Sequence, residues 1–528
     1  MKNGKRLLTL ATLCLCAFAV NVDVTMVNVT IPRLAVDLGA GTRQLQWIVD
    51  AYTLVFAALV LAAGSLSDRF GRRGALLVGL AVYGAGNGLA ALATTAQELI
   101  ATRALMGLGA AIIFPTTLSI ISNVFTDRRE RAQAIGVWGA STGLAVALGP
   151  IVGGALLESF SWEATFLVKV PLALAAAGLV LWVVPTSRDP QAPRLDLRGI
   201  TLSTGAVGLL VYTIIEAPAA GWLSAQTLAT AAAGVLLLAA FVTWERRAPV
   251  PMLDLRLFAN PRFSGASLSI AVSFFALSGF IFLITQYFQF LRAWGPLETG
   301  LRTLPVAIAV GVSSVLGTQI AVRRGTKAVV SGGLLSMAAG LAWVGFGQND
   351  ATSYVLIAGQ MVLLGAGMGL TSAPATESIM GAVSTAKAGV GSALNDMTRE
   401  LGSTLGVAVV GSVFASLYGA RLADRTVKGL QPSALAQAKA SVGAALTTAQ
   451  QLADQGAPAV ASGLREATSS GFFSGMHAAC VLLAGICIAG AAVCAAVLPS
   501  QPPVPADDGG HPAEGARQFA PAPAKARA

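Results

Sequence analysis

The chain has 528 residues, of which 55% are hydrophobic and 11% are charged. Together with a mean hydropathy of +0.70, this composition excludes a soluble globular protein with a polar surface and predicts an all-α polytopic membrane protein. The formal net charge of +10 does not by itself indicate nucleic acid binding, because Lys and Arg accumulate in the cytoplasmic loops of membrane proteins.

Fourteen apolar segments follow one another along the chain. A helix needs about 20 apolar residues to cross the hydrocarbon core, so these segments are predicted as transmembrane spans. Their predicted bounds in chain order are 7–31, 45–66, 75–93, 98–124, 132–157, 164–184, 199–215, 225–244, 263–291, 299–322, 328–347, 354–380, 389–418 and 472–498. Because the number of spans is even, both termini are expected on the same side of the membrane.

The basic residues indicate which side carries the termini. If the N-terminus is cytoplasmic, the inner loops receive most of the Lys and Arg, for example in segments 69–73, 128–131 and 323–327. The short loops of the other side receive only three Arg residues. The positive-inside rule therefore predicts a multi-pass protein with both termini cytoplasmic, and we expect it in the inner (cytoplasmic) cell membrane. Topology accounts for the excess charge, and no nucleic acid partner is expected.

The order of spans and linkers predicts the domain organisation. Residues 1–185 form an N-terminal six-helix bundle, and 186–262 hold two charged, Pro-bearing cytoplasmic linkers that bracket the inserted spans seven and eight. Residues 263–498 form a C-terminal six-helix bundle, within which the polar outer loop 419–471 is expected to contain short surface helices. The Pro- and Ala-rich segment 499–528 is predicted to be a disordered cytoplasmic tail.

Span one contains Asp23 in the segment DVTMVNVTIP, and span four contains Arg103. Asp23 lies roughly 12 Å below the outer end of its span at Ile31, counting 1.5 Å per residue, and Arg103 lies more than one turn deeper than Glu98. A charged side chain at membrane depth is a candidate functional group. We expect the two to form a proton-coupling site, with a snorkelling arginine or a purely structural ion pair as the alternatives.

The loop after span two reads GSLSDRFGRR, residues 64–73. Gly64 and Gly71 permit a tight turn and close helix approach. Asp68 is expected to pair with basic residues across a cytoplasmic helix interface and to release them when that interface opens. A merely basic inner loop would explain the arginines but not the glycines and the acid. The basic residues of this predicted gating motif are Arg69, Arg72 and Arg73.

Span five contains GASTGLAVALGPIVGG, residues 139–154. A Gly-Pro pair loosens the backbone pairing of a membrane helix, and the neighbouring glycines allow close helix packing, as a hinge or a tight helix seam requires. Ordinary glycine packing between membrane helices is the alternative. The residues of this second motif are Gly143, Gly149, Pro150, Gly153 and Gly154.

Span thirteen contains three charged residues in GVGSALNDMTRELGSTLG, residues 389–406. Asp396 and Glu400 are four residues apart and share one helix face, and Arg399 lies three residues from Asp396. Glu377, near the inner end of span twelve, is expected to approach the same cluster. The cluster is either a proton-coupling and substrate site or a helix end whose charges reach water.

Aromatic side chains and a few polar groups in the spans are candidates for a substrate cavity that would also include Glu377 and Arg399. Core packing or lipid contact is the alternative for each of them. These candidates are Trp47, Tyr52, Phe114, Phe282, Gln286 and Tyr287.

These motifs, in this order, resemble the fourteen-span drug/proton antiporter family of the major facilitator superfamily. Segment 64–73 resembles the superfamily signature between the second and third helices. Arg103 matches a motif whose arginine lies near the proton-carrying acid. The Gly-Pro segment resembles the antiporter motif of exporters, and Asp23 lies in the first-helix motif. The second half departs from the pattern, because 317–327 reads GTQIAVRRGTK and lacks the acid of 64–73.

The resemblance implies a major facilitator fold, in which two six-helix bundles rock around a site near the bilayer midplane, with two inserted helices. It implies a proton-coupled multidrug efflux antiporter of amphipathic or cationic organic compounds or antibiotics. An exporter or flippase of an endogenous lipid or secondary metabolite is the alternative. The expected partners are a small-molecule substrate, protons and the lipid bilayer, and a monomer is expected. No metal, cofactor or enzymatic activity is expected, because metal-ligand spacing, a nucleotide-binding loop and a His-based catalytic set are all missing from the sequence.

Overall fold

The computed structural model describes residues 3–188, 196–249, 251, 253–349, 351–383, 388–424 and 430–499, and these residues form helices and short connections without a β-strand. The tail predicted to be disordered, 499–528, lies outside the described residues apart from its first residue. The helices are α1 (Asn3–Asp37), α2 (Thr42–Phe70), α3 (Arg72–Ala90), α4 (Ala96–Val124), α5 (Arg128–Ser159), α6 (Ala164–Leu167), α7 (Lys169–Val183), α8 (Leu197–Ala220), α9 (Ala225–Arg247), a 3₁₀ turn (Leu255–Ala259), α10 (Pro261–Gln286), a π-helical turn (Tyr287–Leu291), α11 (Pro296–Arg302), α12 (Leu304–Arg324), α13 (Thr326–Gly347), α14 (Tyr354–Gly381), α15 (Ala388–Asp424), α16 (Pro432–Ala440), α17 (Val442–Asp454) and α18 (Pro458–Val497).

Thirteen helical stretches in the described part of the chain are long and apolar enough to cross a membrane. The remaining predicted span is α3, whose 19 residues begin with two arginines and include Asn87 and several glycines. These residues lower its hydropathy below that of the other spans. Helix α3 nevertheless packs between α4 and α7, as a helix of the first bundle is expected to do.

Two predicted spans are each broken into two helices by a proline. The sixth span is interrupted at Val168, because Pro171 has no N–H group to donate to the carbonyl of Leu167. In the same way, Pro305 follows the interruption at Thr303 between α11 and α12. The first of these breaks places Lys169 at the start of α7, a position that matters for the site described below.

Helix ends extend beyond the predicted apolar segments. Helix α1 continues through Pro32 to Asp37, and α18 begins at Pro458 instead of residue 472. The predicted outer loop 419–471 is therefore too long, although the short helices expected within it are confirmed as α16 and α17. Hydropathy marks the part of a helix that lies in lipid, whereas Ala-rich polar sequence continues as helix into the aqueous layer.

The long helices form two groups. In the first, α1 packs against α5, α2 against α4, and α3 against α4 and α7. In the second, α10 packs against α15, α14 against α12 and α13, and α18 against α13 and α15. The inserted helix α8 packs against α9 and also against α2 and α15, one from each group. The insert therefore lies across the junction of the two groups.

We call the end of the molecule at which α1 begins the N-terminal face, and the other end the opposite face. Consecutive spans alternate in direction, so α2 and α4 begin at the opposite face, whereas α5 and α15 begin at the N-terminal face. The two groups meet where α2 contacts α15 and where α5 contacts α11, and we call this contact surface the seam. Thr404 Oγ1 donates to Thr53 Oγ1 at 2.7 Å, and Gln46 Nε2 donates to the carbonyl of Ala408 at 2.9 Å. These bonds lie between the middle of the helices and the opposite face, so the molecule is closed on that side.

Candidate functional site

Three charged side chains meet inside the first group of helices: Asp23 of α1, Arg103 of α4 and Lys169 of α7. One carboxylate oxygen of Asp23 accepts a hydrogen bond from Arg103 Nη1, and the other accepts one from Lys169 Nζ. The three side chains are 0%, 1% and 2% exposed. An ionised group is tolerated in such surroundings only when it is paired. We call these residues the buried triad.

The neighbouring helices fix Arg103 in place. Its Nε donates to the carbonyl of Ile48 on α2 at 2.9 Å, and its guanidinium lies 4.5 Å from the centre of the Tyr52 ring. The Tyr52 hydroxyl donates in turn to the carbonyl of Val20 on α1 at 3.2 Å. Gly107 permits this arrangement, because a Cβ atom there would lie only 3.1 Å from Tyr52 Cα. Arg103 therefore joins α1, α2 and α4.

The buried position of Arg103 excludes the snorkelling arginine considered from the sequence. Its contact with Asp23 also agrees with the predicted proximity of the two residues. Asp23 lies farther from the end of its helix than predicted. Because α1 continues to Asp37, this distance is about 21 Å. The functional role of this pair remains a proposal.

Sequence reasoning missed Lys169, although a signal was present. A single Lys in an otherwise apolar span is costly and marks a functional group in the same way as Arg103 does. Its Nζ also lies 4.6 Å from the centre of the Phe166 ring, one turn earlier on α6. The direction of this amine toward Asp23 depends on the helix break before α7, which residue type alone does not predict.

The residues of the gating motif make their contacts within the first group of helices. Arg72 Nε forms an ion pair with Asp68 Oδ1 at 2.7 Å, and the Arg72 backbone N–H donates to the carbonyl of Ser187 at 2.9 Å. Arg73 Nη2 donates to the carbonyl of Leu181. In this closed state of the opposite face, the motif therefore ties the loop between α2 and α3 to the end of α7.

The glycines of this motif shape the same loop. Gly71 has a φ of +117°, which L side chains rarely adopt, so the turn between α2 and α3 requires glycine. A Cβ at Gly64 would make an ordinary contact with Pro115 of α4 at 3.5 Å. Arg69 is exposed, and its guanidinium lies 5.7 Å from the centre of the Phe70 ring.

Three of the four glycines of the span-five motif lie close to neighbouring helices. A Cβ at Gly149 would lie 2.9 Å from the carbonyl oxygen of Val22, and one at Gly153 would lie 2.7 Å from Met26 Cγ, both on α1. A Cβ at Gly154 would lie 2.6 Å from the backbone of α11 in the second group. A Cβ at Gly143 would meet nothing within 4 Å. The Pro150 carbonyl contacts Gly300, next to the Gly154 contact at the seam.

The charged residues of α15 form a second cluster. Asp396 and Glu400 lie at four-residue spacing with Thr404 and Ala408, so all four share the face of α15 that meets α2. Arg399 Nη1 lies 3.6 Å from Asp396 Oδ1. Asp396 is 6% exposed, and Glu400 Oε2 is buried without a hydrogen-bond partner in the described part of the chain. Asp396 is therefore not a helix-end charge that reaches water.

Glu377 does not share this buried environment. It is exposed on α14, beside Thr376, whose hydroxyl donates to Asn395 Oδ1 of α15 at 3.2 Å. Arg399 instead packs against an aromatic ring, with its guanidinium 4.7 Å from the centre of Phe274 on α10.

Sequence reasoning also missed Asp50. Its side chain is fully buried on α2 between Gln46 and Thr53, which both bond to α15 across the seam. Neither carboxylate oxygen has a hydrogen-bond partner among the described residues. A carboxylate in this position needs a proton or a cation. An acid within an apolar span was the sequence signal that pointed to it.

Of the aromatic cavity candidates, Trp47 packs against the insert. Its ring centre lies 6.3 Å from that of Tyr212 on α8, and its Nε1 donates to Glu216 Oε1 at 3.4 Å. Glu216 Oε2 also pairs with Arg43 Nη1 at 2.7 Å. Trp47 therefore helps to join α2 to the insert.

Phe114 lies in a buried aromatic row of the first group. Its ring centre is 5.8 Å from that of Phe56 and 4.8 Å from that of Trp138. Trp138 links α5 to α4, because its Nε1 donates to Thr117 Oγ1 at 3.1 Å.

The remaining candidates lie in the core of the second group. Tyr287 is buried, and its hydroxyl accepts a hydrogen bond from Arg292 Nε at 2.7 Å. Gln286 Nε2 donates to the carbonyl of Phe282 at 2.9 Å, within the same helix. Tyr52 joins the row of Phe114 through Phe56, whose ring centre lies 6.3 Å from that of Tyr52, whereas Trp47 and Tyr287 pack elsewhere. The role of these residues in a substrate cavity stays a prediction.

Comparison with known proteins places this geometry among membrane transporters. The family model described as Major Facilitator Superfamily matches residues 13–407. The chain is 36% identical to the multidrug efflux pump LfrA of Mycolicibacterium smegmatis over 92% of this chain and 94% of that protein. It is 34% identical to the methyl viologen resistance protein SmvA of Salmonella typhimurium over 87% of this chain and 92% of that protein.

A solved structure shows the same fold. The crystal structure of a bacterial homolog to the human lysosomal transporter Spinster, in an inward-facing and unoccupied conformation, superposes with a TM-score of 0.65 at 16% identity. The alignment covers 95% of this chain and 100% of that one. The fold is thus a transporter fold with two helical groups.

Proposed function

The chain belongs to the major facilitator superfamily, and from this premise we propose that it is a proton-coupled multidrug exporter of amphipathic or cationic organic compounds. Its relatives include a multidrug efflux pump and a methyl viologen resistance protein. Methyl viologen is a flat aromatic dication, so a related site for organic cations is consistent with the acids found at the seam.

The proposal rests on the acidic side chains at the seam. Asp50 of α2 and the pair Asp396 and Glu400 of α15 are acids on the facing surfaces of the two helix groups, and Arg399 is the cation beside the pair on α15. Three acids with one such partner need protons or a bound cation to be stable at membrane depth. Protons and an organic cation then compete for the same acids, which is the requirement for exchange.

Alternating access in this proposal uses these acids. Asp396 and Glu400 lie on the side of Thr404 that is nearer the N-terminal face, whereas Asp50 lies between Gln46 and Thr53. From Thr53 to the opposite face, the seam is closed by Thr53, Gln46 and the close contact at Gly154. Rocking of the groups would open this side and close the N-terminal face around the same acids. The substrate would then leave on the opposite face while protons enter.

The energy source is the proton gradient in this proposal. The sequence contains no P-loop for ATP, and the ionisable residues lie at membrane depth, where they are typical of proton relays. The protons are exchanged at the acids of the seam and at the buried triad around Asp23 and Arg103.

The chain is a multi-pass membrane carrier, and its superfamily consists of transporters rather than enzymes. We further propose that the N-terminal face is cytoplasmic, because the basic residues of the loops collect there. The lipid bilayer surrounds the two helix groups, and the functional unit in this proposal is the monomer, since the acids of the seam and the triad lie within one chain.

A resistance panel tests the proposed function. Cells that produce the wild type are expected to tolerate methyl viologen, ethidium and other organic cations better than control cells, and a protonophore is expected to abolish the difference in dye efflux. Glu400→Gln should lower this resistance, whereas Asp424→Asn, an exposed acid at the end of the same helix, should not. Unchanged resistance in Glu400→Gln at equal expression would contradict the role of the seam acids.

A further inference from the structure

The buried triad carries one more positive than negative charge when all three side chains are ionised. Arg103 and Lys169 share the single carboxylate of Asp23. An uncompensated charge inside a membrane protein is costly. The triad is therefore more stable when it releases one proton.

Only one of the three residues can release that proton. An arginine guanidinium stays protonated in proteins, and Asp23 is already ionised when it accepts from both cations. A lysine amine, in contrast, loses its proton readily when it is buried. Protonating Asp23 would leave two cations without an anion, whereas deprotonating Lys169 leaves a neutral pair of Asp23 and Arg103.

Among the described residues, Asp23 is the acid that forms an ion pair with Lys169 Nζ. Asp23 faces it from α1 and Arg103 from α4. The hydroxyl of Tyr83 on α3 donates to the carbonyl of Ala19 at 2.7 Å, and that of Tyr52 on α2 also donates to a carbonyl of α1. Both tyrosine protons are therefore already used in hydrogen bonds.

The other acids of this region lie nearer the opposite face. Glu158 is exposed at the end of α5, and Glu163 precedes α6. At 1.5 Å per residue, Glu163 lies about 9 Å from Lys169 along the chain axis. The acid in direct contact with the amine is Asp23.

The triad is mechanically connected to the seam. Arg103 Nε bonds to the carbonyl of Ile48 at 2.9 Å, and Ile48 lies between Gln46 and Asp50 on α2. When Lys169 is neutral, its ion pair with Asp23 is lost, and both carboxylate oxygens of Asp23 become available to Arg103. A shift of Arg103 toward Asp23 would then act on the segment of α2 that closes the seam.

We propose that Lys169 is the side chain of the triad that carries the coupling proton, with Asp23 as its permanent counter-ion. In the deprotonation step the Nζ–H bond breaks, the electron pair stays on nitrogen, and the proton passes to water at the N-terminal face. Reprotonation occurs from the opposite face when that side is open. This inference rests on the proposed proton coupling, and it assigns to Lys169 the role that the sequence interpretation gave to Asp23.

Three substitutions of Lys169 test this assignment in proteoliposomes. Lys169→Arg fixes the positive charge, and Lys169→Met removes it at similar side-chain length. Both should retain exchange of labelled for unlabelled methyl viologen across the membrane but lose accumulation driven by a pH gradient. Lys169→His should retain gradient-driven accumulation with its optimum moved to lower pH, because an imidazole releases its proton at lower pH than an amine. Lys5→Arg, an exposed lysine near the N-terminus, is the matched control.

The outcomes separate this inference from the proposed function. If the wild type exchanges methyl viologen but a pH gradient does not drive accumulation, or if it does neither, the proposed function itself fails. If the wild type is coupled and Lys169→Arg or Lys169→Met is coupled equally well, Lys169 is not the carrier and the proposed function stands. Equal loss of exchange and accumulation in all three variants would show that Lys169 is purely structural and would also overturn the inference.

Discussion

Replacing Gly154 by Ala should open the seam at the opposite face. A Cβ atom at this position would lie 2.6 Å from both Leu297 Cα and the Pro296 carbonyl oxygen of α11, well inside van der Waals contact. Both atoms belong to the backbone of the second group and cannot rotate away, so α5 and α11 must separate. Overpacking of this kind costs about 1–3 kcal/mol, and it applies only to the closed state. The ratio of closed to open molecules should therefore fall by about 5- to 150-fold.

Spin-label distances measure this shift directly. The labels are attached to cysteines that replace Phe160 and Leu301. Phe160 lies just after α5 and is 63% exposed, and Leu301 lies on α11 and is 47% exposed. Cys14 is replaced by Ser so that it is not labelled, because the other four native cysteines are buried. Gly154→Ala should move the distance distribution to longer values. Gly143→Ala is the matched control, since its Cβ would meet nothing within 4 Å. Identical distributions for both variants would refute the close-packing argument.

Three further substitutions follow from the charges of the two clusters. Glu400→Gln should lower resistance to cationic compounds more than to neutral ones at equal expression; an equal loss would indicate a structural charge. Asp396→Asn should lower gradient-driven export of both classes, because it removes the carboxylate that pairs with Arg399. Export is measured as dye efflux with and without a protonophore, and efflux equal to that of the wild type would contradict this prediction. Asp23→Asn leaves Arg103, and Lys169 when it is protonated, without a carboxylate, which costs about 3–5 kcal/mol, so its melting temperature in detergent should fall. Adding Lys169→Met to that variant should recover part of the loss, and no recovery would argue against the charge count.

The sequence predicted most of the fold because lipid imposes a simple rule on helices. Each span needs a long apolar segment, and hydropathy locates it. The ends were less predictable: helix α1 continues to Asp37 and α18 begins at Pro458. Outside the hydrocarbon core, polar and Ala-rich sequence remains helical without a hydropathy signal.

Charged residues within spans were the best predictor of the site. Asp23 and Arg103 were found by this signal, and the structure brings them into contact. The same signal is present at Lys169 and Asp50. Lys169 directly follows the helix break at Val168, and the direction in which its amine points depends on that break. Which acids face each other across the seam depends on tertiary packing between distant helices.

Aromatic residue type alone does not predict whether a side chain lines a cavity. Trp47 packs on the insert and Phe114 lies in an aromatic row of the first group, whereas Tyr52 supports Arg103. An aromatic side chain in a membrane helix packs equally well in a core, against lipid or in a cavity, so its type does not distinguish these positions. An unpaired carboxylate has fewer acceptable environments, and it is therefore more informative.

The most direct test of proton exchange at the seam is the binding of methyl viologen to the purified wild type in weakly buffered detergent solution with a pH-sensitive dye. If protons and the cation compete for Asp50, Asp396 and Glu400, affinity should fall as the pH is lowered, and each binding event should release protons. Glu400→Gln should release fewer protons than the wild type. Binding that is independent of pH and releases no protons would contradict the account.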